Sequence, residues 1–444
     1  MRIRCRVAVL CAAVCLPAAP LLAQGRLTLA DAVQRAITQN PSVRGADAAT
    51  DAAAARVGEA RSGLLPRADV SEGWQRADQP VFAFSSLLMQ RRFTAADFGL
   101  DALNHPDPVS NHRAALTIEQ PLYDSGRTAT ATRGAQAQLD VTRTDHDRVI
   151  ADLRLATVRA YGRAVAAMSQ RAAAEALQRA AAEDLARVQH RRDAGMETDA
   201  AALLVDVHAQ EAEAAQVRAT GEEDLARATL NSLIGVPLDT RFELDPLTGD
   251  EVALPEPAAA EEDAVRNRPE LRRAVLAERA ADIALAGARR SFLPSVVALG
   301  SIEGNGATFG ARAASWAGGV QLRWNVFAGG ADAARMRAAA ASVREASSRR
   351  SAAETAVRLE ARTAVVLART AIARERATRR SVDQARESQR ILRNRYDSGL
   401  ATSADLLRAA ETLARIESDR IGAVVDVRLA IAELEHALGK EIPR

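Results

Sequence analysis

Trp316-Ala317-Gly318-Gly319-Val320-Gln321-Leu322-Arg323-Trp324-Asn325-Val326-Phe327 alternates without a break. On an extended chain Trp316, Gly318, Val320, Leu322, Trp324 and Val326 share one side, and Ala317, Gly319, Gln321, Arg323, Asn325 and Phe327 the other. A strand of about ten residues with one apolar and one wettable face suits a tilted membrane strand, although a soluble β-subdomain would alternate too. Working outward, Ala114, Leu116, Ile118 and Leu122 alternate with Ala115, Thr117 and Glu119, and Val70 and Trp74 are interleaved with Asp69, Ser71 and Gln75. The segment 295–303 is strand-like but ambiguous in register. All three tryptophans, Trp74, Trp316 and Trp324, fall in these segments, where the girdles of a barrel would stand. Four strands cannot close a barrel of useful size, so an edge-free sheet in lipid demands several chains. Three copies would supply twelve strands.

The same stretch belongs to an internal repeat. Asn40-Pro41-Ser42-Val43 returns as Arg268-Pro269-Glu270-Leu271, and Gly63-Leu64-Leu65-Pro66 as Ser291-Phe292-Leu293-Pro294, both offset by 228. Pro121-Leu122-Tyr123-Asp124-Ser125-Gly126 matches Asn325-Val326-Phe327-Ala328-Gly329-Gly330, at an offset of 204. Two later pairs, Arg192 to Thr198 with Tyr396 to Thr402 and Leu233-Ile234-Gly235 with Ala437-Leu438-Gly439, keep the offset of 204. The difference of 24 residues therefore lies between the Leu-Pro and aromatic-glycine landmarks of the first copy.

Each copy predicts a helix, two strands, a very long helix to a glycine turn, and a shorter returning helix. The long helix of copy one, about 128–190, would span roughly 95 Å at 1.5 Å per residue. Helices of about 41–64 and 203–234, stacked end to end beside it, would give a wall of even height. Leu406, Ala410 and Leu413, then Val424, Val427, Ile431, Leu434 and Leu438, keep helical spacing. Asp245 to Pro257 contains three prolines and reads as a linker. The expected division is a first repeat over 24–246, with an outer loop at about 78–112, a linker over 247–262, and a second repeat over 263–444 with strands at about 295–327. Without strands, an ordinary helical bundle or coiled coil would fit the helices equally well.

The chain starts with Arg2, Arg4 and Arg6, an apolar run from Val7 to Val14, and a small residue, Ala23, before Gln24. This is the plan of a secretory signal peptide, expected over 1–23. The three cysteines, Cys5, Cys11 and Cys15, all fall within it, so the exported chain is expected to carry no thiol or disulfide. Losing three arginines from 59 basic residues leaves 56 against 57 acidic ones, a balance that gives a nucleic-acid partner no support. Hydrophobic residues make up 48% but aromatics only 3%, so alanine and leucine carry the apolar content and favour close-packed helices. After the leader no apolar run approaches the ~20 residues of a membrane helix, which leaves a closed β-barrel as the way through lipid.

The duplicated plan, Gln120-Pro121-Leu122-Tyr123-Asp124-Ser125-Gly126-Arg127, and Tyr396 through Leu407 together resemble the TolC-type outer membrane factor family. The insert Pro80-Val81-Phe82-Ala83-Phe84 through Phe93, Phe98 and Leu103-Asn104-His105-Pro106 resembles the long outer loop of a subset of that family. The resemblance implies a mainly α fold with a small transmembrane β part. A homotrimer, four strands per chain, would form a β-barrel in the outer membrane and an α-barrel crossing the periplasm. It also implies an α-barrel tip closed at rest and opened during export, and engaged by a periplasmic adaptor and an inner-membrane transporter. The tip then falls at Gly195 and Gly399. Tyr396 and Asp405 match positions of constriction contacts and an inward acidic ring, although Thr402 or Ser403 capping a helix with Asp405 in its first turn is the competing reading. Arg408 stands where a second acid is often found. Arg192, Asp193, Ala194, Gly195, Arg395, Asp397, Ser398 and Gly399 are the expected adaptor contact. Passive export through an efflux pump is the leading function. A type I protein secretion duct and a soluble periplasmic coiled-coil adaptor are the alternatives.

An enzyme is not indicated. The six histidines, His105, His112, His146, His190, His208 and His436, have no paired ligand spacing. No nucleophile elbow or phosphate-binding glycine loop occurs. No metal or cofactor is expected.

Overall fold

The computed structural model describes residues 25–247 and 253–440. The expected signal peptide and its cysteines lie outside the described residues. The chain opens with β1 (Arg26–Leu27), α1 (Leu29–Gln39) and α2 (Pro41–Arg61). Asn40 separates the two helices: its backbone is extended (ψ 130°), as the following Pro41 requires, and its side chain accepts from Ser42 N at 2.9 Å. After β2 (Arg67–Ala77) come an outer excursion and β3 (Val109–Tyr123), then the long helix α5 (Arg127–Asp193) and the returning helix α6 (Asp199–Ile234). The excursion contains α3 (Pro80–Met89) and the short α4 (Leu100–Asn104).

Copy two follows β4 (Glu243–Leu244) and repeats the plan. It has α7 (Pro257–Asn267), α8 (Pro269–Arg290), β5 (Ser295–Gly306), β6 (Ala313–Arg323), α9 (Ala331–Asp397) and α10 (Ser403–Ala437). Both long helices have 67 residues, about 100 Å at 1.5 Å per residue. Each packs against its own short partners, α5 with α2 and α6, α9 with α8 and α10, and α5 also meets α8 and α10. The wall is thus the stacked arrangement that the repeat implies. At mid-height Tyr161, fully buried, donates a hydroxyl proton shared between Leu27 O (2.9 Å) and Asp245 O (3.0 Å), pinning the β1–β4 pair onto α5.

Four strands form one antiparallel sheet, in the order β2-β3-β5-β6. Residues opposite one another share a face, so the register sorts the side chains. Val70, Leu116, Ile302 and Trp316 form one cross-strand row, and Ala298 with Val320 and Val296 with Leu322 extend the same face. The opposite face holds Asp69, Thr117 and Ser301, with Arg113 salt-bridged to Glu303 at 2.8 Å. One face is mainly apolar, with Glu72, bridged to Arg312, and His112 toward its outer end; the other is largely polar. Among the described residues the outer strands β2 and β6 have no partner on their far sides. No helix among the described residues is long and apolar enough to cross a membrane.

Three expectations are corrected in detail. Strand β6 stops at Arg323, because its partner β5 begins at Ser295, immediately after Pro294, and nothing remains to pair with Trp324–Phe327. Trp324 therefore lies beyond the strand, its indole donating to Phe292 O at 3.1 Å. The outer loop ends at Pro108 instead of 112, since Val109 already pairs with Ala77. The second copy opens at Pro257, inside the stretch expected as linker, where proline starts α7. The outer loop contains the helices α3 and α4.

Candidate functional site

Both long helices reverse in the same way. Gly195 (φ 72°) and Gly399 (φ 74°) adopt the left-handed conformation in which glycine has no Cβ clash. Met196 N donates to Arg191 O and Leu400 N to Arg395 O, each at 2.8 Å, closing the last helical turn. Arg192, Asp193, Ala194, Gly195, Arg395, Asp397, Ser398 and Gly399 are all exposed at this end of the molecule. So are Met196 (67%) and Leu400 (69%), apolar residues the sequence reading passed over. Their signal was available: each directly follows a turn glycine in both copies.

The two hairpins are joined at the tip. Val188, Ala202, Val205, Tyr396, Leu406 and Leu407 make one apolar cluster drawn from α5, α6, α9 and α10. Tyr396 is only 1% exposed, with the Arg191 guanidinium 5.0 Å from its ring centre. Burial pushes its hydroxyl above the usual range, and that hydroxyl has no hydrogen-bond partner. Around the cluster, buried Asp184 pairs with Arg393 at 3.2 Å, and Arg187 pairs with Asp397 at 3.3 Å. Both pairs run from α5 to α9, hence from one copy to the other.

Asp405 completes a capping box. Thr402 Oγ1 donates to Asp405 Oδ2 at 2.6 Å, Thr402 N donates to the same oxygen at 3.1 Å, and Asp405 N donates to Thr402 Oγ1 at 3.2 Å. The Thr402 hydroxyl, its backbone N–H, Arg408 and Arg395 hold this carboxyl below its ordinary range, so it is anionic at neutral pH. Arg408 Nη1 stands 3.5 Å from Asp405 Oδ1 and partly offsets the charge. At the other end, Trp74 and Trp316 are exposed on the apolar face of the sheet, and Trp324 is exposed below its inner end. Among the described residues no group of three or more His, Cys, Asp or Glu side chains could hold a metal ion.

A sheet with an apolar back, a polar front and two bare edges, carried on ~100 Å of helix, defines a membrane channel subunit. The comparisons agree. The chain matches the family model described as outer membrane efflux protein over residues 32–236 and 261–440, and it belongs to that family. It is a TolC-like outer-membrane channel protein extending into the periplasm, not an enzyme. It is 28% identical over 393 residues to Protein CyaE of Bordetella pertussis, covering 86% of this chain and 78% of that one. Its fold is that of the Campylobacter jejuni CmeC outer membrane channel (TM-score 0.80, 17% identity, 93% of this chain and 85% of that chain). The Vibrio cholerae outer membrane protein VceC is also similar (TM-score 0.75, 19% identity, 93% and 96%).

Proposed function

We propose that three copies of this chain form the exit channel of a tripartite efflux pump, conducting substrates passively from an inner-membrane transporter and a periplasmic adaptor to the exterior. The observation that carries the reading is the division of the sheet: a mainly apolar face, charged only toward its outer end at Glu72, a largely polar face opposite, and edges that no other described strand pairs. Twelve strands from three subunits would enclose a wet lumen. The polar rows would line it, and Trp74, Trp316 and Trp324 would stand at the lipid interfaces.

In this reading the tip is the gate. Asp405, kept anionic by its cap, supplies one carboxylate per subunit to a cation-attracting ring, weakened by Arg408. Tyr396 acts behind the lining: its buried ring ties α9 to the first hairpin and so holds the constriction narrow. The adaptor meets the exposed turn residues, with Met196 and Leu400 as matched apolar contacts on the two hairpins. Purification from membranes after mild crosslinking tests the whole. A periplasmic adaptor and an inner-membrane transporter should co-isolate with a trimer, and loss of the gene should sensitise cells to small toxic compounds. Release of the exported chain as a monomer by a salt wash would overturn it.

A further inference from the structure

Helix α3, in the excursion that only copy one carries, has the sequence Pro80-Val81-Phe82-Ala83-Phe84-Ser85-Ser86-Leu87-Leu88-Met89. So apolar a segment would be expected on the apolar side of the sheet. It is held to the other side. Gln90, which ends the helix, donates from Nε2 to Asn111 Oδ1 (3.0 Å) and Ser110 O (2.8 Å), and its Oε1 accepts from Arg92 (3.2 Å). Asn111 in turn donates to Asn305 Oδ1 at 2.8 Å. Asn111 and Asn305 belong to the polar face, in step with Arg113 and Glu303.

Gln90, Asn111 and Asn305 are all buried, as are Ala83 and Ser86 on the helix. Further from the loop on the same face, Asp69, Thr117 and Ala317 are exposed. Cover is therefore local to the outer rows. Arg91 sits at φ 55°, unusual for a residue with a side chain, and donates to Ala314 O at 3.0 Å, a second tie across the mouth. Phe84, Phe93 and Phe98 stack edge to face at 4.8 and 5.0 Å, stiffening the rest of the excursion. Val81 and Leu88 remain exposed.

We propose that α3 is a stopper in the outer mouth of the pore, latched to the lumen wall by the Gln90–Asn111–Asn305 amide chain. This rests on the channel reading, which makes the polar face the lumen. The stopper is a second constriction, at the end of the molecule opposite the tip. Its exposed apolar residues, from each subunit, would narrow the mouth with a surface that favours dewetting. Both side-chain polar atoms of Gln90 are engaged, by the Asn111 amide, the Ser110 carbonyl and the Arg92 guanidinium, so opening the latch costs buried hydrogen bonds and no proton. The corresponding turn of copy two, Ala307–Arg312, has only six residues between β5 and β6 and can place nothing there.

The test is labelling from outside intact cells with a bulky, membrane-impermeant maleimide polymer. The target cysteine is Thr117→Cys, on the polar face below the latch; the exported chain is expected to carry no other thiol. Labelling should be slow in the otherwise native protein and about tenfold faster with Gln90→Ala, roughly the Boltzmann factor for losing one or two buried hydrogen bonds. Replacing 78–108 by the six-residue turn 307–312 should remove the barrier altogether and covers the case in which Gln90→Ala fails to accumulate. Fast labelling in all three proteins overturns the stopper and leaves the channel standing. No labelling even in the turn-exchange variant overturns both, because Thr117 would then not face an open lumen.

Discussion

Asp184→Ala should unlatch the tip. Asp184 is 6% exposed and bridges to Arg393 at 3.2 Å, with Arg187 one helical turn away at 3.9 Å. The substitution removes a charge-assisted pair between α5 and α9. Because Arg393 is partly exposed and rehydrates when freed, the cost lies toward the low end for such pairs, about 1–2 kcal/mol per chain. If three tips open together the shift is ~3–6 kcal/mol, or about 10²- to 10⁴-fold in the closed-to-open ratio. Purified channels in planar bilayers would show it as longer and larger open events. Arg393→Ala should do the same, and the double variant should open no further than the stronger single one, the sign that one interaction was removed. Unchanged conductance and open probability in a correctly assembled Asp184→Ala trimer would refute the idea that this bridge holds the tip.

Asp405→Ala should alter single-channel conductance and its response to divalent cations; unchanged values would leave the carboxyl as a helix cap alone. Its cap should also weaken at low pH: the folded carboxyl titrates below its ordinary value, so its contribution is present above that value and is lost as pH falls through the depressed one. Glu435 behaves oppositely. Burial pushes its carboxyl up to about 7, with Arg428 pulling the other way. Its contribution is greatest below the ordinary glutamate range and declines as pH rises toward 7, so Glu435→Gln should flatten the dependence of Tm on pH between about 4.5 and 7. Replacing Gly195 or Gly399 by valine should cost about 1–2 kcal/mol, read as a lower Tm, since each turn needs a left-handed residue. Brominated acyl chains should quench Trp74 and Trp316 fluorescence; equal quenching by a water-soluble agent alone would remove those residues from the lipid face.

What could be read directly was local and periodic. The alternation from Trp316 to Leu322, the proline entering α2 and α8, and the glycines ending α5 and α9 each need only neighbours along the chain, and the structure has them where the pattern put them. The same local logic anticipated a cap at Thr402 or Ser403. Trp324 continues the alternation but has no strand opposite it, and pairing cannot be read from one segment. Tyr396 and Asp184 depend on two hairpins meeting some 200 residues apart in sequence, so neither the burial of one nor the partner of the other was visible. In α3 the apolar residues are nearly continuous, a composition compatible with either face of the sheet. Its side goes with contacts made just beyond the helix, Gln90 to Asn111 and Arg91 to Ala314 O, which depend on strands distant in sequence.

Bare strands β2 and β6 also constrain how such a protein is made. A lone copy threaded into hydrocarbon would strand about ten peptide groups along each margin without a mate, at several kcal/mol apiece. If three copies do complete the barrel as proposed, their edges must pair before or during entry into the bilayer, not after it. A copy left alone would keep the exposed apolar side chains of its sheet, Val70, Trp74 and Trp316 among them, in water.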